Sequence, residues 1–166
     1  NLSEVETLVN YDEIGILALR DTNAEVRIKA LELLEYSENP KHISELINLI
    51  RSDSDSKVIT AALVTSAHFV YLGEVEEYPR EMFLKLTSVL KDLIKGDYEE
   101  ENKQYALEAL GYSSEMDVKT YIQDAIAIPD KKWTSAALIA MGRSLDPYWK
   151  KYILDEIDHQ ILDILI

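Results

Sequence analysis

Four amphipathic stretches of the chain can be aligned on an Ala-Leu pair, and this repetition limits the possible folds more than any other feature. The pairs stand at residues 30/31, 62/63, 106/107 and 137/138, so the intervals between their alanines are 32, 44 and 31 residues. Periods of this length are typical of proteins built from stacked supersecondary units. The 44-residue interval indicates an insertion between the second and third units.

Each Ala-Leu pair belongs to a stretch with the periodicity of an α-helix. In the first stretch the apolar residues are Val26, Ala30, Leu31 and Leu34, which recur at i, i+4, i+5 and i+8 and so share one helical face. We call the alanines at positions 30, 62, 106 and 137 the anchor alanines. Because alanine is small, a neighbouring helix can approach closely at each of them.

Residues typical of helix ends flank these stretches. An aspartate before each stretch is expected to cap the helix by accepting hydrogen bonds from N–H groups of the first turn. Three of the aspartates share one register and the fourth lies two residues closer to its anchor; they are Asp21, Asp53, Asp97 and Asp130. Gly111 and Gly142 follow the last apolar positions of their stretches, where a left-handed residue often ends a helix.

A second set of amphipathic stretches alternates with the first. These stretches cover residues 40–50, 79–95, 118–128 and 147–166, and three of them start at a proline. Proline is tolerated in the first turn of a helix, where its missing N–H is not needed. The repeating unit is therefore two helices and two turns, about 31 residues long.

The pattern Asp-x4-Val-Arg-x2-Ala-Leu-x2-Leu in residues 21–34 resembles the HEAT-like repeat family. The short period is most similar to bacterial HEAT-like units that are also found in phycobilisome lyases. The resemblance implies an all-α solenoid of about four to five helical hairpins, forming a single domain over residues 1–166.

The apolar final residues 160–166 favour either a capping unit or the cut edge of a longer chain. Tetratricopeptide repeats have a similar period, but their Trp/Gly/Tyr/Ala/Pro layout is not found here.

The charge of the chain narrows the classes of partner. The formal net charge is −14, from 31 acidic and 17 basic residues spread along the whole sequence. Such a surface repels a phosphate backbone, because nucleic-acid binding depends on Lys and Arg neutralising phosphates. An acidic surface that is simply solvated is one interpretation of this charge, and long-range attraction of a basic partner protein is the other. The lack of an apolar run of membrane-spanning length argues against a membrane partner, and the absence of cysteine favours a reducing, cytoplasmic location.

Catalytic and cofactor-binding motifs are missing from the sequence. It contains no Gly-rich phosphate loop and no Gly-x-Ser-x-Gly nucleophile motif. His42, His68 and His159 stand far apart without a neighbouring metal-ligand pattern, and His68 is expected to be a packed structural residue. We therefore predict a protein that is not an enzyme and that needs no cofactor or metal.

The insertion and the turn after it supply the candidate binding surface. Insertions in solenoids map to loops on one face, often the binding face, and tyrosine is enriched at interfaces. An acidic contact surface with aromatic anchors is one interpretation of these residues. A helix start favoured by acids, with half-buried tyrosines as spacers between hairpins, is the other. The candidate residues are Glu74, Glu76, Glu77, Tyr78, Asp97, Tyr98, Glu99, Glu100, Glu101, Tyr105 and Tyr112.

Three hypotheses about function remain open on the sequence. The first is a non-enzymatic protein-protein interaction module that binds a basic partner protein. The second is an immunity protein or antitoxin that neutralises a basic nuclease toxin, since small size and acidic charge suit such a role. The third follows from the resemblance and is a bilin-lyase-like chaperone that handles a ligand.

Overall fold

The computed structural model describes residues 11–155 and 157, with side chains from residue 14 onward. This part of the chain contains eight α-helices, one short 3-10 helix and no strand, so the predicted all-α class is confirmed. Helical backbone continues after the 3-10 helix through residues 150–155 and 157. In chain order the helices are α1 (Tyr11–Leu19), α2 (Ala24–Leu34), α3 (His42–Ser52), α4 (Ser56–Glu74), α5 (Arg80–Lys95), α6 (Glu100–Leu110), α7 (Val118–Ile126), α8 (Lys131–Ser144) and the 3-10 helix Pro147–Trp149.

The chain forms two compact units that divide between Val89 and Leu90, inside α5. In the first unit α2 and α3 both pack against α4, and α1 packs against α2 and α3. In the second unit α6 and α7 both pack against α8. The single repeat domain over residues 1–166 and its solenoid arrangement stay predictions. The apolar residues 160–166 lie outside the described residues.

The anchor alanines lie in the cores of these units. All four are at most 3% exposed, and Leu31, Leu63 and Leu107 beside them are fully buried. In the first unit the hydroxyl of Thr65 on α4 donates to the Leu31 carbonyl of α2 at 3.2 Å, so the two helices also meet through a buried hydrogen bond. The apolar periodicity therefore predicted these packed positions correctly, whereas Val26, which was placed on the same face of α2, is 37% exposed.

Helix caps lie in a different register from the one that the aspartates predicted. The N-cap residues of α2, α4, α6 and α8 are Asn23, Asp55, Glu99 and Asp130. Each of them stands seven residues before its anchor alanine. Asp130, which looked displaced in the sequence, is thus the aspartate in the regular position. Asp21 and Asp53 instead accept a hydrogen bond from the N–H of the residue two further on, in the turn that leads into the cap.

The expected left-handed glycine caps are also wrong. Gly111 follows α6 in right-handed helical conformation, with a φ of −53°. Gly142 lies within α8, and the left-handed residue after that helix is Leu145, with a φ of 52°. A Cβ on Gly111 would lie 2.6 Å from the Ala140 Cα, so this glycine is needed for the close approach of α8 to α6.

Candidate partner-binding surface

Five of the predicted site residues lie together where α6 begins in the second unit. Asp97, Tyr98, Glu99, Glu100 and Glu101 are all exposed. Glu99 is the N-cap residue and accepts no hydrogen bond with its side chain. Carboxylates at this end of a helix interact favourably with the partial positive charge of the unpaired N–H groups. We call residues 97–101 the α6 acidic turn.

Among the described residues, Glu100 is the one carboxylate of the α6 acidic turn that is held by side chains of its own unit. Lys103 Nζ donates to its Oε1 at 3.0 Å, and Trp133 Nε1 donates to its Oε2 at 2.9 Å. These two hydrogen bonds, that of Lys103 first, hold the pKa of Glu100 below its ordinary value. Its charge is therefore partly compensated, whereas Asp97, Glu99 and Glu101 form no ion pair within the described residues.

A groove runs beside the α6 acidic turn, between the start of α6 and the start of α8. Its volume is about 440 Å³. The start of α6 and the α7–α8 turn supply its walls, which are Glu100, Glu101, Gln104, Ile128, Asp130, Lys132 and Trp133. Three carboxylates and one lysine give it a net negative wall, and the largely buried Trp133, 7% exposed, forms part of its base. A net negative wall suits the cationic side chain of an arginine or lysine.

The predicted site residues of the first unit do not form one exposed acidic loop. α4 continues through Glu74, which is half-buried and stands 3.9 Å from Arg80. Glu76 and Glu77 are exposed, and Glu76 has a left-handed φ of 64°. Tyr78 is only 6% exposed.

Tyr78 belongs to the core, so its assignment to a binding surface is wrong. Its hydroxyl donates to the Phe69 carbonyl within α4, and burial raises its pKa. Gly73 makes room for it, because a Cβ there would lie 2.5 Å from both the Tyr78 hydroxyl oxygen and the Phe83 ring. The residues beside Tyr78 in the sequence are mostly charged, so they gave no local signal that its side chain is buried.

Tyr105 and Tyr112 occupy intermediate positions. Both are half-buried. The guanidinium of Arg143 on α8 lies 5.2 Å from the centre of the Tyr112 ring, and its Nη1 donates to the Glu108 carbonyl at 2.7 Å. Tyr112 therefore helps to join α6 to α8, as expected of a spacer between helices rather than of a freely exposed anchor.

The groove residues outside the α6 acidic turn were not among those predicted from the sequence. Ile128, Lys132 and Trp133 join it because α6 and α8 pack side by side. The aligned register carried a usable signal: Asp130 and Trp133 occupy the same positions relative to their anchor alanine as Glu99 and Asn102 do.

The described histidines take part in packing. His42 is 1% exposed in α3. His68 donates through Nε2 to the Ser37 carbonyl at 2.9 Å and packs edge-to-face against Phe69. His159 lies outside the described residues. Within the range that the structure describes, no group of three or more His, Asp or Glu side chains is placed to hold a metal ion.

Comparison with protein-family models, with curated proteins and with solved structures finds no match in any of the three. Among the described residues, no helix combines the length and the apolar character needed to cross a membrane.

Proposed function

We propose that this chain is a HEAT-like α-solenoid that acts as a non-enzymatic protein-protein interaction module. In this proposal the α6 acidic turn and the groove beside it bind a basic partner protein. The observation that carries the proposal is the set of three exposed carboxylates, Asp97, Glu99 and Glu101. They lie beside a groove with a net negative wall and form no ion pair within the described residues.

The architectural half of the proposal rests on the constant register of the helices. In α2, α4, α6 and α8 the N-cap residue lies seven positions before a buried anchor alanine. In each compact unit these helices pack in pairs, α2 on α4 and α6 on α8. Repeat proteins with such nearest-neighbour packing present extended surfaces for partners.

The functional half rests on electrostatics and on aromatic side chains. The net charge of −14 attracts a basic protein over long range and speeds its association. At close range the α6 acidic turn offers carboxylates for bidentate arginine contacts. Tyr98, which is 42% exposed, supplies a rigid aromatic surface of the kind that dominates binding energy at interfaces.

The experiment compares two variants that change the net charge equally. Glu99→Lys/Glu101→Lys alters the α6 acidic turn, and Glu35→Lys/Glu38→Lys alters exposed carboxylates after α2 as a matched control. A partner is first captured from source-cell lysate on the immobilised wild-type chain, eluted with salt and identified by mass spectrometry. Its association rate with purified wild type and both variants is then measured at several salt concentrations.

We expect the Glu99→Lys/Glu101→Lys variant to associate at least about tenfold more slowly and with a weaker salt dependence. The Glu35→Lys/Glu38→Lys variant keeps a rate close to that of wild type. Equal losses for both variants would show that only the net charge matters, and retention of no basic protein would contradict the proposal as a whole.

The same experiment distinguishes an adaptor from a nuclease inhibitor. If the captured partner is a nuclease, stoichiometric addition of the wild-type chain should abolish its activity, and Glu99→Lys/Glu101→Lys should restore it. A captured partner without nuclease activity assigns the chain to the adaptor class.

A further inference from the structure

Gln104 is the unusual residue of the groove beside the α6 acidic turn. It lines the groove and is 8% exposed, yet its amide forms no hydrogen bond among the described residues. A side-chain amide carries one acceptor oxygen and two N–H donors, and leaving them unpaired in a buried position is unfavourable. Neither amide atom is closed off completely from solvent, so a molecule in the groove can reach them.

Two carboxylates of the groove also have acceptor atoms left for a ligand. Asp130 uses Oδ1 to cap α8, and its Oδ2 accepts no hydrogen bond among the described residues. Glu101 is exposed and forms no ion pair within the same range. Glu100, by contrast, already accepts hydrogen bonds on both of its oxygens. The groove therefore offers acceptors from α6 and from the start of α8.

The rest of the lining favours a ligand with a cationic head and an apolar stem. Lys132 is the one basic residue of the lining, and it stands against three carboxylates, so an anion is disfavoured. Ile128 is 38% exposed and gives the groove an apolar surface. Long basic side chains combine these properties, because their methylene stems pack on apolar surface while the charged head stays polar.

The acceptors distinguish arginine from lysine. A guanidinium has five N–H donors fixed in one plane, whereas an ammonium has three on a single atom. The guanidinium is also more weakly hydrated, so it loses less on moving against a largely buried amide. The oxygens of Glu101, Asp130 and Gln104 come from two different helices, which suits the wider of the two heads.

We propose that the groove is a subsite for an arginine side chain, whose guanidinium donates to Gln104 Oε1 and to the carboxylates of Glu101 and Asp130. This inference rests on the proposed function, since it names the side chain by which the basic partner is recognised. It adds a preference for arginine over lysine, which the charge of the α6 acidic turn alone does not provide.

The test uses two small probes of equal charge and a ¹⁵N-labelled sample of the full chain. N-acetylarginine amide is titrated as the probe, and N-acetyllysine amide is the matched control. The resonances followed are the Gln104 side-chain amide and the Trp133 indole N–H. We expect saturable shifts of both with the arginine probe and about three- to tenfold weaker binding of the lysine probe, the ratio expected for one additional hydrogen bond.

Two variants separate the amide from the charge. Gln104→Leu is close in size, identifies the amide resonances by their loss and keeps every charge, so it should bind the two probes with equal affinity. Lys132→Gln removes the like charge from the groove, so it should bind both probes more tightly and keep the preference for arginine. A Trp133 indole resonance at its wild-type position shows that each variant is folded.

Equal affinities of wild type for the two probes, or no saturable shift at Gln104, would overturn the inference without reference to either variant. Neither probe involves the partner protein, so the two proposals fail separately. A captured basic protein that depends on Glu99 and Glu101, together with equal probe affinities, keeps the proposed function and removes the arginine subsite. Arginine-selective shifts without any captured basic protein keep the subsite and remove the proposed function.

Discussion

Arg27 and Asp53 form a bidentate ion pair that is largely removed from water. Arg27 Nε and Asp53 Oδ2 are 2.8 Å apart, as are Nη2 and Oδ1, and the side chains are 11% and 5% exposed. Arg27 Nη1 also donates to the Asp21 and Thr22 carbonyls at 2.8 and 3.2 Å. A single side chain in the first turn of α2 therefore ties the turn before α2 to the residue that follows α3.

Replacing Arg27 should be among the most destabilising single changes to a charged residue of the first unit. Arg27→Ala leaves the Asp53 carboxylate without its cation in a poorly hydrated position, which costs about 3–5 kcal/mol for a buried pair. Arg27→Lys should be intermediate, because an ammonium retains the charge but not the planar fork. Urea unfolding of the purified variants measures these losses.

The matched control for this prediction is Arg20→Ala. Arg20 also contacts a carboxylate, that of Glu45, but its side chain is 63% exposed. Exposed ion pairs contribute little because water solvates both partners. A loss for Arg20→Ala as large as that for Arg27→Ala would mean that burial is not the cause.

Two glycines near the ends of α6 and α8 should respond to alanine in opposite directions. At Gly111 the added Cβ meets backbone atoms of Ala140 at 2.6 and 2.8 Å, which cannot rotate away, so Gly111→Ala should lose about 1–3 kcal/mol. At Gly142, within α8, the Cβ meets nothing within 4 Å. Gly142→Ala should therefore gain about 0.5–1 kcal/mol from the reduced freedom of the unfolded chain. Thermal unfolding of both variants checks the opposite signs.

The register of the helix caps can be tested with two aspartates of the second unit. Asp130 accepts hydrogen bonds from the N–H groups of Lys132 and Trp133 at 2.9 and 3.1 Å, so Asp130→Ala should cost about 1 kcal/mol. Asp97 lies two residues before the N-cap of α6, and Asp97→Ala should change stability by less than about 0.5 kcal/mol. Comparable losses in chemical denaturation would favour the aspartate register predicted from the sequence.

The stability of the chain should depend on pH through Glu108. Burial raises the pKa of this half-buried carboxyl, and the nearby Arg143 offsets only part of the effect. A raised folded-state pKa means that the native state favours the protonated form. Protonated Glu108 therefore contributes to the stability of the fold below the unfolded-state pKa near 4.5. This contribution is lost as the pH rises through the folded-state pKa of Glu108. Glu108→Gln should therefore be more stable than wild type at pH 7, with the difference vanishing near pH 3.

Glu100→Gln serves as the control of opposite sign. The pKa of Glu100 is lowered by its hydrogen bonds from Lys103 and Trp133, so its contribution is present above the unfolded pKa and is lost as the pH falls through the folded value. At pH 7 this variant should be less stable than wild type. Urea unfolding of both variants at pH 3 and pH 7 provides the comparison, and parallel shifts of both would contradict the assignment.

The binding surface was only partly predictable from sequence. The α6 acidic turn is a run of neighbouring residues, so its exposure and charge follow from local composition. Tyr78 was assigned to the surface because the residues around it are acidic. The position of Phe83 and the space left by Gly73 decide instead that it is buried.

Periodicity along the sequence predicted the helices from α2 onward and most of their apolar faces, because both depend on residues three to five positions apart. It did not predict α1 or the exposure of Val26. It correctly predicted the buried anchor alanines and an amphipathic helix within residues 40–50, where Ile43, Leu46, Ile47 and Ile50 are buried. Tertiary structure alone decided which aspartate caps a helix and which one pairs with Arg27, 26 residues away. It also brought Trp133 to Glu100. These features depend on contacts between helices that are distant in the chain. The spacing of neighbouring residues in the sequence does not predict such contacts.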